Sequence, residues 1–141
     1  MKKTSKRATH ILAVSIIVVF CVCILAPIAS ARSSHYISHY NANITAGNNG
    51  NVTVAFNITG TGKMTEIGST QIVIYENGKS VRTYKSSTTT SMMGKDKVFH
   101  SGTVTYAGVK GRTYRANVIF KCGNSNGHDN RNIDTNSVTA K

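Results

Sequence analysis

Beyond residue 31, apolar side chains recur at every second position almost without exception, and no window carries them at helical spacing through three turns. A period of two belongs to strands that bury one face, so the chain has to build antiparallel sheets with one side on a core. Tyr36, Tyr40, Ala42 and Ile44 share a face of a first strand. After the turn cluster Gly47-Asn48-Asn49-Gly50, Val52, Val54, Phe56 and Ile58 alternate with Asn51, Thr53, Ala55 and Asn57. Gly60-Thr61-Gly62 reads as a loop leading to a third strand around Gln71 to Glu76. Asn77-Gly78 is the strongest hairpin signal, because a type I′ turn needs positive φ at both central residues and these two tolerate it.

That turn sets a register. Glu76 is expected opposite Lys79, Tyr75 opposite Ser80, Ile74 opposite Val81, Val73 opposite Arg82 and Gln71 opposite Tyr84. Alternation then puts Ile72, Ile74 and Val81 on the core side and Tyr75, Arg82 and Tyr84 on the other. After the polar linker Ser86 to Ser91, strands recur near Val98 to Tyr106 and Thr113 to Cys122, with Tyr114, Ala116, Val118, Phe120 and Cys122 on one side. Gly123 to Asn132 reads as an Asn/Gly-rich loop, and Ser137 to Lys141 as a last short strand.

The expected fold is all-β: an immunoglobulin-like antiparallel β-sandwich of about seven strands. Gly111 to Ala116 fits that class, in which a tyrosine at the start of the sixth strand bonds back to the preceding backbone and a core residue follows two positions on. Tyr114 and Ala116 match, and Tyr114 fits equally as an ordinary core tyrosine; the central-strand Trp and paired cysteines of antibody domains are missing.

Residues 1–31 have the three-part layout of a secretory signal. Lys2, Lys3, Lys6 and Arg7 make a positive start, Ile11 to Leu25 is an apolar run interrupted only by Ser15, and Pro27 precedes Ala29-Ser30-Ala31. The run is shorter than the ~20 residues of a spanning helix, so cleavage near Ala31-Arg32 is expected rather than a stable membrane anchor. The protein is then secreted as one β-sandwich domain, residues 32–141. Losing four of seventeen basic residues leaves thirteen against five acids, a net charge of +8. Two cysteines leave with the signal, so Cys122 has no partner for an internal disulfide.

Tyr36, Tyr40-x-Ala42, Gly60-Thr61-Gly62-Lys63-Met64-Thr65-x-Ile67-Gly68, Ile72-x-Ile74-Tyr75-Glu76, Met92-Met93, His100-Ser101-Gly102-x-Val104-x-Tyr106 and Gly111-x-x-Tyr114-x-Ala116 occur in that order. In this the chain resembles uncharacterised small secreted proteins of clostridial-type Gram-positive bacteria, over essentially all of residues 32–141. The resemblance implies an exported β-sandwich and brings no catalytic or binding residue with it. In such a setting Asn43-Ile44-Thr45, Asn51-Val52-Thr53 and Asn57-Ile58-Thr59 are strand residues, not glycan acceptors.

The residues that usually carry chemistry favour no enzyme. His35 and His39 would chelate one ion on a helix, but in a strand four residues separate the imidazoles by roughly 13 Å. Gly60 to Lys63 lacks the first glycine and the Ser or Thr of a phosphate loop. Asn124, Asn126 and His128 have calcium-loop spacing, yet Asp129 stands where glycine is needed and no Glu closes the loop. The five acids are thinly spread, there is no Gly-x-Ser-x-Gly elbow, and Cys122 at the core-facing end of a strand reads as packing. No cofactor and no metal are expected.

What remains is binding. Pairing the hairpin with the sixth strand gathers Tyr75, Arg82, Tyr84, Arg115, Ile119 and Lys121 on an outward face, where aromatics interleaved with cations suit an anionic cell-surface polymer, a glycan or a protein. The alternative is a secreted cationic antibacterial or toxin-like effector, although no segment is a basic amphipathic helix. Nucleic acid is disfavoured because the basic residues are dispersed. Intact-mass analysis of protein from culture medium is expected to show a chain beginning at Arg32; residues 1–31 retained in a membrane fraction would overturn this.

Overall fold

A computed structural model describes residues 34–141. The expected signal segment lies outside the described residues. Among these residues nine strands follow one another: β1 (Ile37–Ala46), β2 (Asn51–Met64), β3 (Glu66–Glu76), β4 (Lys79–Lys85), β5 (Met93–Gly94), β6 (Lys97–Ala107), β7 (Thr113–Asn124), β8 (Gly127–Asp134) and β9 (Val138–Thr139). Apart from a 3-10 turn at Thr90–Met92, the described residues contain no helix. All ladders are antiparallel. One sheet runs β1-β2-β6 and the other β4-β3-β7-β8, with β5 beside β3 and β9 beside β7.

The alternation expected from the sequence places the core between these sheets. Ile44, Val52, Val54, Phe56 and Ile58 point inward from the first, and Ile67, Ile72, Ile74, Tyr114, Ala116, Val118 and Phe120 from the second. Rings bridge the gap: Tyr40 and Phe56 lie 5.4 and 6.1 Å from Phe120, and Tyr106 lies 5.9 Å from Tyr114. The first strand carries a bulge between Ile37 and His39 that turns Ile37 into the core along with Ile44.

Four expectations are corrected. Gly60 to Lys63 is no loop: β2 continues to Met64, because the Thr61 N–H donates to the Tyr36 carbonyl and its hydroxyl to the His35 carbonyl, and Met64 is buried at the end. Gly123 to Asn132 is no loop either, since most of it forms β8 in a tight hairpin with β7, paired from Asn124↔Gly127 to Asn117↔Asp134. The third strand starts at Glu66 rather than Gln71. There, Gly68 at φ 155° lets β5 lie against β3, and a Cβ at that position would stand 2.2 Å from the Met92 carbonyl oxygen.

The fourth correction reaches the candidate face. Asn77 and Gly78 adopt φ 46° and 85°, and the first pairs, Glu76↔Lys79 and Tyr75↔Ser80, match the expected register. A bulge then skips Val81, so Arg82 pairs with Ile74, Thr83 with Val73, Tyr84 with Ile72 and Lys85 with Gln71. Every later side chain of β4 changes side. Val81, expected in the core, is 38% exposed, whereas the Tyr84 ring packs on the core and its hydroxyl donates to the Thr105 carbonyl at 2.8 Å. A large ring with a hydrogen bond to the opposite sheet outweighs one valine. In urea unfolding, Ile74→Ala is expected to cost about 2–5 kcal/mol and Val81→Ala no more than about 0.5 kcal/mol. Equal losses would restore the unbroken register.

Candidate functional site

The structure keeps four of the six candidate residues, Tyr75, Arg115, Ile119 and Lys121, on one outward face and puts the other two elsewhere. Tyr75 and Arg115 are opposite one another on β3 and β7, with the Arg115 guanidinium 4.3 Å from the Tyr75 ring centre. Lys121 lies on the same outward face of β7. Arg82 and Tyr84 belong to the other side of the sheet, because the Val81 bulge pairs them with the buried Ile74 and Ile72. There the Arg82 guanidinium sits 5.3 Å from the Tyr84 ring centre.

The outward cations also have partners. Arg115 meets Asp134 at 3.2 Å, and Asn117 donates to the same carboxylate oxygen at 3.0 Å. Lys121 Nζ lies 2.6 Å from Glu66, and that hydrogen bond, with the lysine's charge, holds the Glu66 carboxyl below its ordinary range. Much of the attraction of this face for a polyanion is met from within the chain.

Two other carboxylates act as latches. The Tyr114 hydroxyl accepts the Val109 N–H at 2.8 Å and donates to Glu76 at 2.5 Å, while Arg112 also bonds Glu76. This is the back-bond expected from the Gly111 to Ala116 pattern. The Tyr114 bond, then Arg112, lower the Glu76 carboxyl; burial and then Glu76 raise the Tyr114 phenol. At another edge Asp129 accepts the Ser34 hydroxyl at 2.6 Å and the Tyr36 N–H at 2.9 Å, bonds that hold its carboxyl low. Of the five acids, Glu66, Glu76, Asp129 and Asp134 are thus engaged by partners within the chain.

Cys122 is buried, and its thiol donates to the Tyr36 carbonyl at 3.2 Å. Burial first, and the charge of Asp129 second, push it up to about 11. His39 is exposed on β1, and His35 lies in the bend ahead of that strand. Asn124 accepts the Asn126 N–H at 2.9 Å, closing the β7–β8 turn. Among the described residues no three His, Cys, Asp or Glu side chains gather as metal ligands.

Sequence reasoning missed the outer face of the β1-β2-β6 sheet. Its register stacks four rows: His39–Thr59–Phe99, Asn41–Asn57–Ser101, Asn43–Ala55–Thr103 and Thr45–Thr53–Thr105. None of these positions carries Lys, Arg, Asp or Glu. Ala55, shorter than its neighbours, lies in a shallow trough of about 370 Å³ lined also by Asn41, Asn57, Phe99 and Ser101. The signal was present in the Asn-x-Thr triplets, whose first and third residues share a face in a strand.

Compared with models of known families, with curated proteins and with solved structures, the chain matches none.

Tyr114→Phe is expected to cost about 1–3 kcal/mol in denaturant unfolding, because it deletes a buried hydroxyl and leaves the Val109 N–H and the Glu76 carboxylate without that partner; a variant as stable as the parent would reduce Tyr114 to a packing ring. Carboxyls lowered by folding stabilise the protein fully above their unfolded range near pH 4, and that contribution is lost as pH falls further. The melting temperature is expected to hold from pH 7 to about 5 and to drop below about pH 4, with Asp129→Asn lowering it at pH 7 and shrinking the acid drop. Cys122 is expected to react with a thiol reagent only on unfolding; rapid native labelling would contradict its burial.

Proposed function

We propose that residues 32–141 act, after removal of residues 1–31, as a secreted, non-catalytic binding module with an immunoglobulin-like sandwich, engaging a cell-surface polymer, glycan or protein. The strand order supports the fold reading: β1, β2 and β6 take the places of the first, second and fifth strands of such domains, and β3, β7 and β8 those of the third, sixth and seventh, with β4 added at the edge. The Tyr114 back-bond falls at the matching corner.

One observation carries the binding reading. The groups best suited to chemistry, four carboxylates and the Cys122 thiol, are engaged in contacts that hold strands and turns together. What the domain offers to other molecules is its faces. Because the basic tyrosine face is split and largely neutralised, the anionic polymer is the less favoured of the ligands considered.

Co-sedimentation of chain 32–141 with peptidoglycan, teichoic acid and mucin, at low and high salt, tests the reading. Retention on at least one fraction, without inhibition of Gram-positive growth, is the expected result. Free passage through all three would sink the binding module, and killing of neighbouring species would favour the cationic effector.

A further inference from the structure

We infer that the outer face of the β1-β2-β6 sheet is a binding site for an uncharged polysaccharide, with Asn41, Asn57 and Ser101 across the three strands as its polar centre and Phe99 as a stacking platform. This rests on the reading of the domain as an extracellular binding module and names the ligand class and the face.

The first support is residue choice. Asparagine is depleted in strands, yet Asn41, Asn43 and Asn57 occupy interior positions of β1 and β2 with their side chains outward. Threonine or lysine would serve an ordinary solvated face better, and local preferences are broken most often where a site needs particular groups. The second support is unused bonding capacity. The side chains of Asn41, Asn43, Asn57, Ser101 and Thr103 make no hydrogen bond to another described residue, whereas one row along, Thr53 and Thr105 bond each other at 3.1 Å and Thr45 bonds the Thr53 carbonyl at 3.4 Å.

The chemistry of the occupant follows from what this face lacks and offers. A polyanion or polycation would find no formal countercharge among the twelve positions of the four rows. An apolar partner would strip water from amides and hydroxyls without replacing it, at about 1–3 kcal/mol for each group left unpaired. A ligand dense in neutral hydroxyls fits: each amide presents a donor beside an acceptor, which two neighbouring hydroxyls of a sugar can satisfy together. Phe99, 53% exposed, lies one row from Asn57, about 7 Å along the strand, where the apolar face of an adjacent sugar ring can stack on it. The trough is shallow and open rather than enclosed, so a polymer can pass over it.

Affinity electrophoresis of chain 32–141 in native gels containing dextran, mannan, soluble β-1,3-glucan or hydroxyethyl cellulose, with and without 1 M salt, tests the inference. At least one polymer is expected to retard the protein equally at both salt concentrations. Asn57→Ala and Phe99→Ala should each weaken retardation about five- to tenfold at unchanged melting temperature, while Arg115→Ser leaves it intact. Should either variant prove unstable, Ser101→Lys, which adds bulk and charge at an exposed position, is expected to abolish retardation. No retardation by any of these polymers overturns the site, as does retardation that salt removes or that the three face variants leave unchanged. Sedimentation with envelope fractions but no retardation here would reject this face and keep the binding module; failure of both assays would reject the two together.

Discussion

Phe120 is the ring on which the two sheets meet. It lies at full burial on β7, and Tyr40 from β1 and Phe56 from β2 approach it from the facing sheet. No disulfide joins the sheets among the described residues, so the apolar layer through this ring holds them together along with the Tyr84 and Asp129 hydrogen bonds. Aromatic pairs of this kind add about 0.5–1.5 kcal/mol each beyond the area they bury. The rest of the architecture is arranged around β7: Tyr114, Ala116, Val118 and Cys122 line up with Phe120 on its inner side, β3 pairs along one edge, and β8 and β9 share the other. Gly102 belongs to the same arrangement, since a Cβ there would press within 2.6 Å of the Phe56 ring that completes the cluster.

What alternates around this layer was legible in the residues alone. β1, the first half of β2, β6, β7 and the Asn77-Gly78 turn all announce themselves by apolar side chains at every second position, bounded by glycine or asparagine. β8 did not, because seven of its eight residues are polar or glycine and Ile133 alone is apolar. It exists through its backbone ladder to β7, and its charged and amide side chains suit an edge that must not pair with another molecule. The second half of β2 was hidden for a related reason. Its glycines look like a loop until the segment ahead of β1 supplies ladder partners, and that contact lies too far away in the chain for a local pattern to carry.

The candidate face shows the same limit more sharply. Lys79 to Lys85 alternates in a way that permits two solutions one residue apart, one burying Val81 and the other turning Tyr84 inward. The Tyr84 bond to the Thr105 carbonyl lies across the sandwich, outside any hairpin rule, and it selects the second. Tyr75 and Arg115 were placed correctly because both lie on regular stretches of β3 and β7. The neutral face escaped notice for a different reason: its residues are unremarkable singly and form a pattern only once β1, β2 and β6 are side by side.

Glu76 and Asp129 complete the logic of a fold without cross-links. Glu76 binds the end of β3 to the turn before β7, and Asp129 binds β8 to the segment entering β1, so each joins segments far apart in sequence without a disulfide. If residues 1–31 are removed as proposed, the chain begins two residues before Ser34, and the Asp129 latch then fastens the new terminus directly. Ser34 also accepts the Ile37 N–H at 2.8 Å, so the same hydroxyl that meets Asp129 sets the start of β1. Entry into the first strand thus engages a carboxylate ninety-five residues away from Ser34, at the end of the sheet that presents the neutral face.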